Sequence, residues 1–222
     1  MGTVCGLRTR RYHGLLVPAV AGASARRLSR VALDPVLTLP SGACVRLGVH
    51  EWAGGAVAPA GHTLLESFDL DEGLPRWRWR VVVERELAIR HGSASVAVVH
   101  RLLAGGPVSL ALEALVTWRD AHGERHAGQP PAVEHHDGGV VVEGSFRLRG
   151  PGWSPAGGWY RGVHARLEAD RGLAARSKPG QSPNSCAPIV CPRPERCTSI
   201  HESLKARVKR CISIHKAPWP GA

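Results

Sequence analysis

The sequence predicts an all-β protein, an antiparallel β-sandwich followed by a disordered tail. Three observations carry this. Between residues 15 and 149, short apolar stretches alternate with breaks containing Gly, Pro or Asp at close spacing. From residue 76 to residue 89, apolar and charged residues alternate with a period of two, the pattern of a half-buried antiparallel strand. Only residues 163–176 have a helical pattern, and Gly172 weakens it, so nothing supplies the crossover helices of an α/β fold.

Taken in order, residues 15–20 are an apolar run that reads as the start of a buried strand. Val31, Leu33, Leu37 and Leu39 surround Pro35, which suits an edge strand or a bulge because proline cannot donate to a ladder. Ser41-Gly42 is a turn, and residues 43–50 return as the hairpin partner. Gly54-Gly55 and Pro59-Ala60-Gly61 punctuate a loop, and residues 62–70 bring Leu64, Leu65 and Phe68. Residues 76–89 read as one strand. Trp77, Trp79, Val81, Val83, Leu87 and Ile89 fall on one parity, interrupted by Arg85, while Arg76, Arg78, Arg80, Glu84 and Glu86 fall on the other. Residues 95–103 and 108–118 follow as strands across Gly105-Gly106-Pro107. Asp137-Gly138-Gly139 is a hairpin turn before residues 140–143, and Phe146 and Leu148 mark a further short strand.

A chain of 222 residues makes one large or two small domains. No run of about 18 apolar residues exists to cross a membrane as a helix, and no apolar signal segment follows Met1. The expected location is the cytoplasm, where six cysteines stay reduced. The formal charge of +11 suggests a polyanionic partner until its distribution is read. Residues 1–177 carry 21 Arg against 16 acids, and residues 178–222 carry 8 Lys and Arg against 2 acids, so more than half of the excess lies in the short tail.

That tail differs in kind. No lysine precedes Lys178, no asparagine precedes Asn184, and Ile89 is the one isoleucine before Ile189. The expected division is a β-sandwich domain over residues 1–176 and a basic, Cys- and Pro-containing tail over 177–222, disordered or arising from a shifted reading frame. Cys186, Cys191, Cys197 and Cys211 with His201 and His215 lack the paired Cys-x2–4-Cys clips of zinc modules, so no metal is expected there. Cys5 and Cys44 read as packed thiols.

Arg76-Trp77-Arg78-Trp79-Arg80 resembles a basic aromatic stripe for single-stranded nucleic acid. On a strand, however, its tryptophans and arginines face opposite ways, and Glu84 and Glu86 balance the arginine face, so core packing behind a solvated face is the reading. Glu66, Asp69, Asp71 and Glu72 read as surface acids, because neighbours in one segment do not face each other across a glycosidic bond. In His135-His136-Asp137 adjacent side chains point apart, which suits a polar hairpin tip rather than a metal site.

Four separated motifs remain. They are Gly2-Thr3-Val4 with Leu7 and Thr9-Arg10-Arg11-Tyr12-His13-Gly14-Leu15-Leu16-Val17, then Glu66-Ser67-Phe68, Trp118-Arg119-Asp120-Ala121-His122, and Trp159-Tyr160-Arg161 with Glu168 and Arg171-Gly172-Leu173. In this order they resemble the N-terminal domain of bacterial and archaeal glycogen debranching enzymes, over residues 2–176. The resemblance implies a super-sandwich-like β domain that precedes an (α/α) barrel, packs against it and helps to bind glucan, while the barrel removes α-1,6 branches. It implies glycogen or another α-glucan and the barrel as partners, no cofactor, no metal and no catalytic residue in this chain. The chain begins inside the first motif and ends before any barrel, which reads as a fragment. Candidate sugar-binding residues are Arg11, Tyr12, His13, Arg119, Asp120, Trp159, Tyr160 and Arg161. Tyr and Trp would stack on sugar rings, and Arg, Asp and His would bond hydroxyls. Arg119 and Asp120 fit equally a charge-assisted brace for a loop. The alternatives are nucleic-acid binding through the tail and a non-functional gene fragment.

Overall fold

The computed structural model describes residues 2–19, 25–81, 83–104, 108–150, 152–155 and 158–172, and the backbone of residues 187–191 and 209–216. In chain order the strands are β1 (Arg27–Thr38), β2 (Cys44–Arg46), β3 (Val49–Glu51), β4 (Val57–Ala60), β5 (Leu65–Asp71), β6 (Leu74–Trp79), β7 (Val83–Ile89) and β8 (Ser95–Leu102). They continue with β9 (Ser109–Asp120), β10 (Val133–His136), β11 (Gly139–Val142), β12 (Phe146–Arg149), β13 (Ser154–Pro155), β14 (Ala187–Cys191) and β15 (Lys209–Lys216). One sheet has the order β13-β14-β9-β1-β2 and the other the order β10-β11-β12-β15-β8-β7-β6-β5, while β3 and β4 form a separate hairpin. The pairings are antiparallel.

The apolar parity of each strand says which face turns inward. Leu33 and Leu37 of β1 and Leu112, Ala114 and Val116 of β9 come from one sheet. Trp77, Trp79, Val83, Leu87, Val96, Val98, Val140, Val142, Phe146 and Leu148 come from the other, and all join one buried cluster. Two sheets burying one face each against the other is the sandwich expected from the sequence.

The outer face of the larger sheet carries the expected charge. Glu84 is buried, with Arg78 at 3.2 Å, Arg101 at 3.1 Å and Arg76 at 3.7 Å, and Glu86 lies 3.1 Å from Arg101 and 3.5 Å from Arg76. The Trp77–Trp79 parity is core, as read. The span 76–89 is nevertheless two strands. It folds back after Trp79, pairing Arg76 with Glu86, Arg78 with Glu84 and Trp79 with Val83. The connection has an odd number of residues, so the alternation passes through the turn unchanged and conceals it. Folding back also sets Arg76 and Arg78 each across from a glutamate, which straightening the strand would not do.

Other expectations shift similarly. Residues 15–19 make no regular strand. Leu16 and Pro18 only accept from Ser29 and Arg27, and Pro18 has no N–H for a ladder. Pro35 lies inside a strand of 12 residues, but β2 reaches only Val36–Thr38, so the flank at Pro35 lacks a full ladder. Residues 43–50 divide between β2, which returns on β1, and β3, which pairs β4 around Gly54 and Gly55 at φ 96° and 84°. The helical promise shrinks to one turn, α1 (Arg166–Ala169), closed by Gly172 at φ 72°. Cys44 is exposed rather than packed, and Cys5 is half-buried.

Within the tail expected to be disordered, two segments are strands. β14 lies along β9, and β15 lies between β8 and β12. The physical reason is the edges: β8, β9 and β12 each present a row of backbone donors and acceptors that a further strand satisfies. The tail cysteines fall outside the described side chains.

Candidate functional site

The first motif folds into a tight turn. The His13 amide donates to the Arg10 carbonyl at 3.1 Å, and the Arg10 amide donates to His13 Nδ1 at 3.3 Å. Behind the turn, the Leu167 amide donates to the Thr9 carbonyl at 3.0 Å, and Arg10 stands 4.0 Å from the buried Glu168. The first and fourth motifs therefore meet through α1.

The third motif closes on the same turn. Arg119 is the last residue but one of β9 and is buried. Its Nη1 donates to the carbonyls of Asp120 at 2.8 Å, Ala121 at 3.1 Å and Gly123 at 2.9 Å, and its Nη2 donates to the Arg11 carbonyl at 2.6 Å. This guanidinium staples the loop after β9 to the turn of residues 10–13. Asp120 Oδ1 accepts from the His122 amide at 2.9 Å, which fixes the same loop from outside. Arg11 returns the contact, with Nη2 2.8 Å from Glu124 and Nη1 donating to the His122 carbonyl at 3.3 Å. On top of this frame the exposed Tyr12 ring meets His13 and His122 edge-on, with centroids 5.4 Å and 5.5 Å apart. Burial, reinforced by the positive charge of Arg10, holds His13 below its usual pKa of 6.5.

Arg11, Tyr12, His13, Arg119 and Asp120 thus lie together in one cluster, although more than a hundred residues separate its two halves. Trp159 stands next to the same loop by another route. Its indole donates to the Gly128 carbonyl at 2.7 Å, and the Arg125 guanidinium lies 5.3 Å from its ring. Tyr160 belongs elsewhere. It stacks on Trp52, with centroids 5.7 Å apart and rings inclined by 29°. Arg161 is exposed. Four residues that sequence reasoning did not nominate complete these clusters: His122, Glu168, Trp52 and His50. His122 lies in the third motif and Glu168 in the fourth, which is their signal in the sequence. Trp52 and His50 carried none.

Beneath the Trp52–Tyr160 stack is a buried ionic group. His50 Nε2 lies 2.7 Å from Asp34 Oδ2, and an Arg8 amine meets His50 Nδ1. A guanidinium only donates, so Nδ1 accepts, and the proton on Nε2 points at Asp34. Burial raises the Asp34 carboxyl, but His50, with Arg8 and Arg85 behind it, outweighs this and holds it below its usual range. Gly48 makes room for the group: a Cβ there would stand 2.6 Å from the Asp34 carboxyl carbon.

Chemically, the Tyr12 surface offers an aromatic ring, an imidazole and a carboxylate on a braced loop. Such a set suits a polyhydroxylated ring, with apolar C–H faces and many hydroxyls. Glu66, Asp69, Asp71 and Glu72 are exposed, on or just after edge strand β5, and do not join it. Among the described residues, no helix is long and apolar enough to cross a membrane. A family model described as glycogen debranching enzyme N terminal matches residues 1–179. No curated protein and no solved structure matches the chain.

Proposed function

The chain belongs to the family of glycogen debranching enzyme N-terminal domains, and from that premise we propose that it is a cytoplasmic glucan-binding accessory domain. It holds an α-glucan for an (α/α) barrel that cleaves the α-1,6 branches, and it performs no hydrolysis itself. The observation that carries this is the exposed Tyr12 ring set against His122 over a loop fixed by Arg119. A stacking surface held rigid from below loses little entropy on binding. Tyr12 takes the apolar face of a glucose unit, His122 and Asp120 take hydroxyls, and Arg11 and Arg119 position the loop. Trp159 extends the surface along residues 125–128, whereas Tyr160 supports the fold at Trp52.

Electrophoresis of the full chain through gels containing glycogen tests this. Retardation is expected for the wild type and is expected to fall about tenfold in apparent affinity for Tyr12→Ala, the scale of one lost stacking contact. Asp120→Asn weakens it less. A wild-type chain that runs unretarded would sink the proposal, as would Tyr12→Ala retarded like the wild type.

A further inference from the structure

Arg85 breaks the apolar parity of β7. Val83 and Leu87 on either side of it are buried in the sandwich, and Arg85 shares their inward face. It pairs in register with Trp77, and its guanidinium lies 4.6 Å from the Trp77 ring centroid and 5.4 Å from that of Trp79. Its Nε is buried without a hydrogen bond, and among the described residues no carboxylate forms an ion pair with it. An unpaired cation turned toward a core is costly and calls for an anion.

The space for one is present. A cavity of about 60 Å³ is lined by Arg85, Arg8, Trp77, Trp79, Gly48 and residues 2–6. His62 lines it too, with a buried Nδ1 that makes no hydrogen bond. Asp34 also lines it, 2.7 Å from His50 Nε2 and with Arg8 and Arg85 both acting on its charge. Arg8 lines the cavity as well, so two guanidinium groups there share one carboxylate. Space of this size holds several waters or one small anion.

We infer that this cavity is a binding site for a small oxyanion of the phosphate or sulfate class, held by the Arg85 guanidinium and the His62 ring and walled by Trp77 and Trp79. The site is separate from the Tyr12 surface and does not depend on glucan binding. Arginine suits it, because its planar donors match two oxyanion oxygens while its faces stay on the indoles.

The test is thermal unfolding and tryptophan fluorescence of the full chain, titrated with inorganic phosphate, with potassium chloride at matched ionic strength as reference. A saturable rise in Tm with a saturable fluorescence change is expected for phosphate and sulfate but not for chloride. Arg85→Met, which keeps the stem on the indoles, is expected to weaken the apparent affinity about ten- to a hundredfold, the scale of a lost charged hydrogen bond. His62→Gln is expected to weaken it less, and the exposed Arg90→Met to leave it unchanged. If Arg85→Met does not fold by circular dichroism, Arg85→Lys with His62→Gln decides. Phosphate effects equal to those of chloride, or unaltered in the folded variants, would overturn the inference and leave the cavity to water.

Discussion

Arg119 shows how one side chain determines the shape of a surface it does not itself present. Its donors meet four backbone carbonyls from two segments, and removing it would leave those carbonyls short of partners. Arg119→Met is therefore expected to lower stability in urea by about 2–4 kcal/mol, and to lower glycogen retardation as well. Arg119→Lys should recover only part of either, because one ammonium cannot span the same fork. A loss of binding with unchanged stability would mean that Arg119 touches sugar directly. His13 gives the complementary prediction in pH. Its folded-state pKa lies below 6.5, so the folded chain prefers the neutral ring. Between the folded pKa and 6.5 the unfolded chain binds more protons, and stability rises with pH through that window. The contribution is complete above 6.5 and is lost as pH falls toward the folded value. NMR titration of His13 should give a midpoint below 6.5, and His13→Gln should flatten that part of the stability profile; a midpoint at or above 6.5 would contradict the role given to burial.

At the scale of elements, the sequence displayed faces more clearly than it displayed turns. The alternation from Trp77 to Leu87 gave the correct buried side, yet an odd-length connection preserved parity and hid the hairpin between β6 and β7. The opposed charges were the available clue, since Arg76 and Arg78 can only neutralise Glu86 and Glu84 by coming back alongside them. The same limit explains residues 163–176, where local propensity favoured a longer helix but tertiary ties from Thr9 to Leu167 and the turn at Gly172 hold α1 to four residues. The tail strands were illegible for a different reason. Their pairing depends on vacant edges far away in sequence, which no local pattern reports. β15 should nevertheless have a measurable effect on β8, whose amides alternate between β7 on one side and β15 on the other. In a chain ended at residue 179, the alternate β8 amides that face β15 are expected to lose at least about tenfold in hydrogen-exchange protection, while their neighbours facing β7 keep theirs. Equal protection in the two chains would show that β15 does not cover that edge.

For the whole molecule, the question is which of two charge distributions governs binding. The four motifs were legible because each is a compact run of polar and aromatic residues. That the first and third form one surface was not, because the antiparallel pairing of β1 with β9 is what carries Asp120 back to the start of the chain. This folded part has a modest excess of 21 Arg over 16 acids, and Arg76, Arg78 and Arg101 among them are paired in the ladder around Glu84 and Glu86. The tail holds 8 Lys and Arg against 2 acids. Glucan held by stacking and hydroxyl contacts at Tyr12 releases no counterions, so glycogen affinity is expected to change less than about twofold between ~50 and ~200 mM salt, since no phosphate contact is involved. Binding to a nucleic acid through the tail would behave oppositely. With several phosphate contacts it would weaken by about 10³-fold or more over that range, and it would disappear in the chain ended at residue 179. Running the same two chains through glycogen gels and against single-stranded DNA at both salt concentrations separates the cases. Retardation by glycogen that survives both salt and truncation assigns binding to the sandwich. Retardation that vanishes with salt in the full chain assigns it to the basic tail and removes the Tyr12 surface from the function.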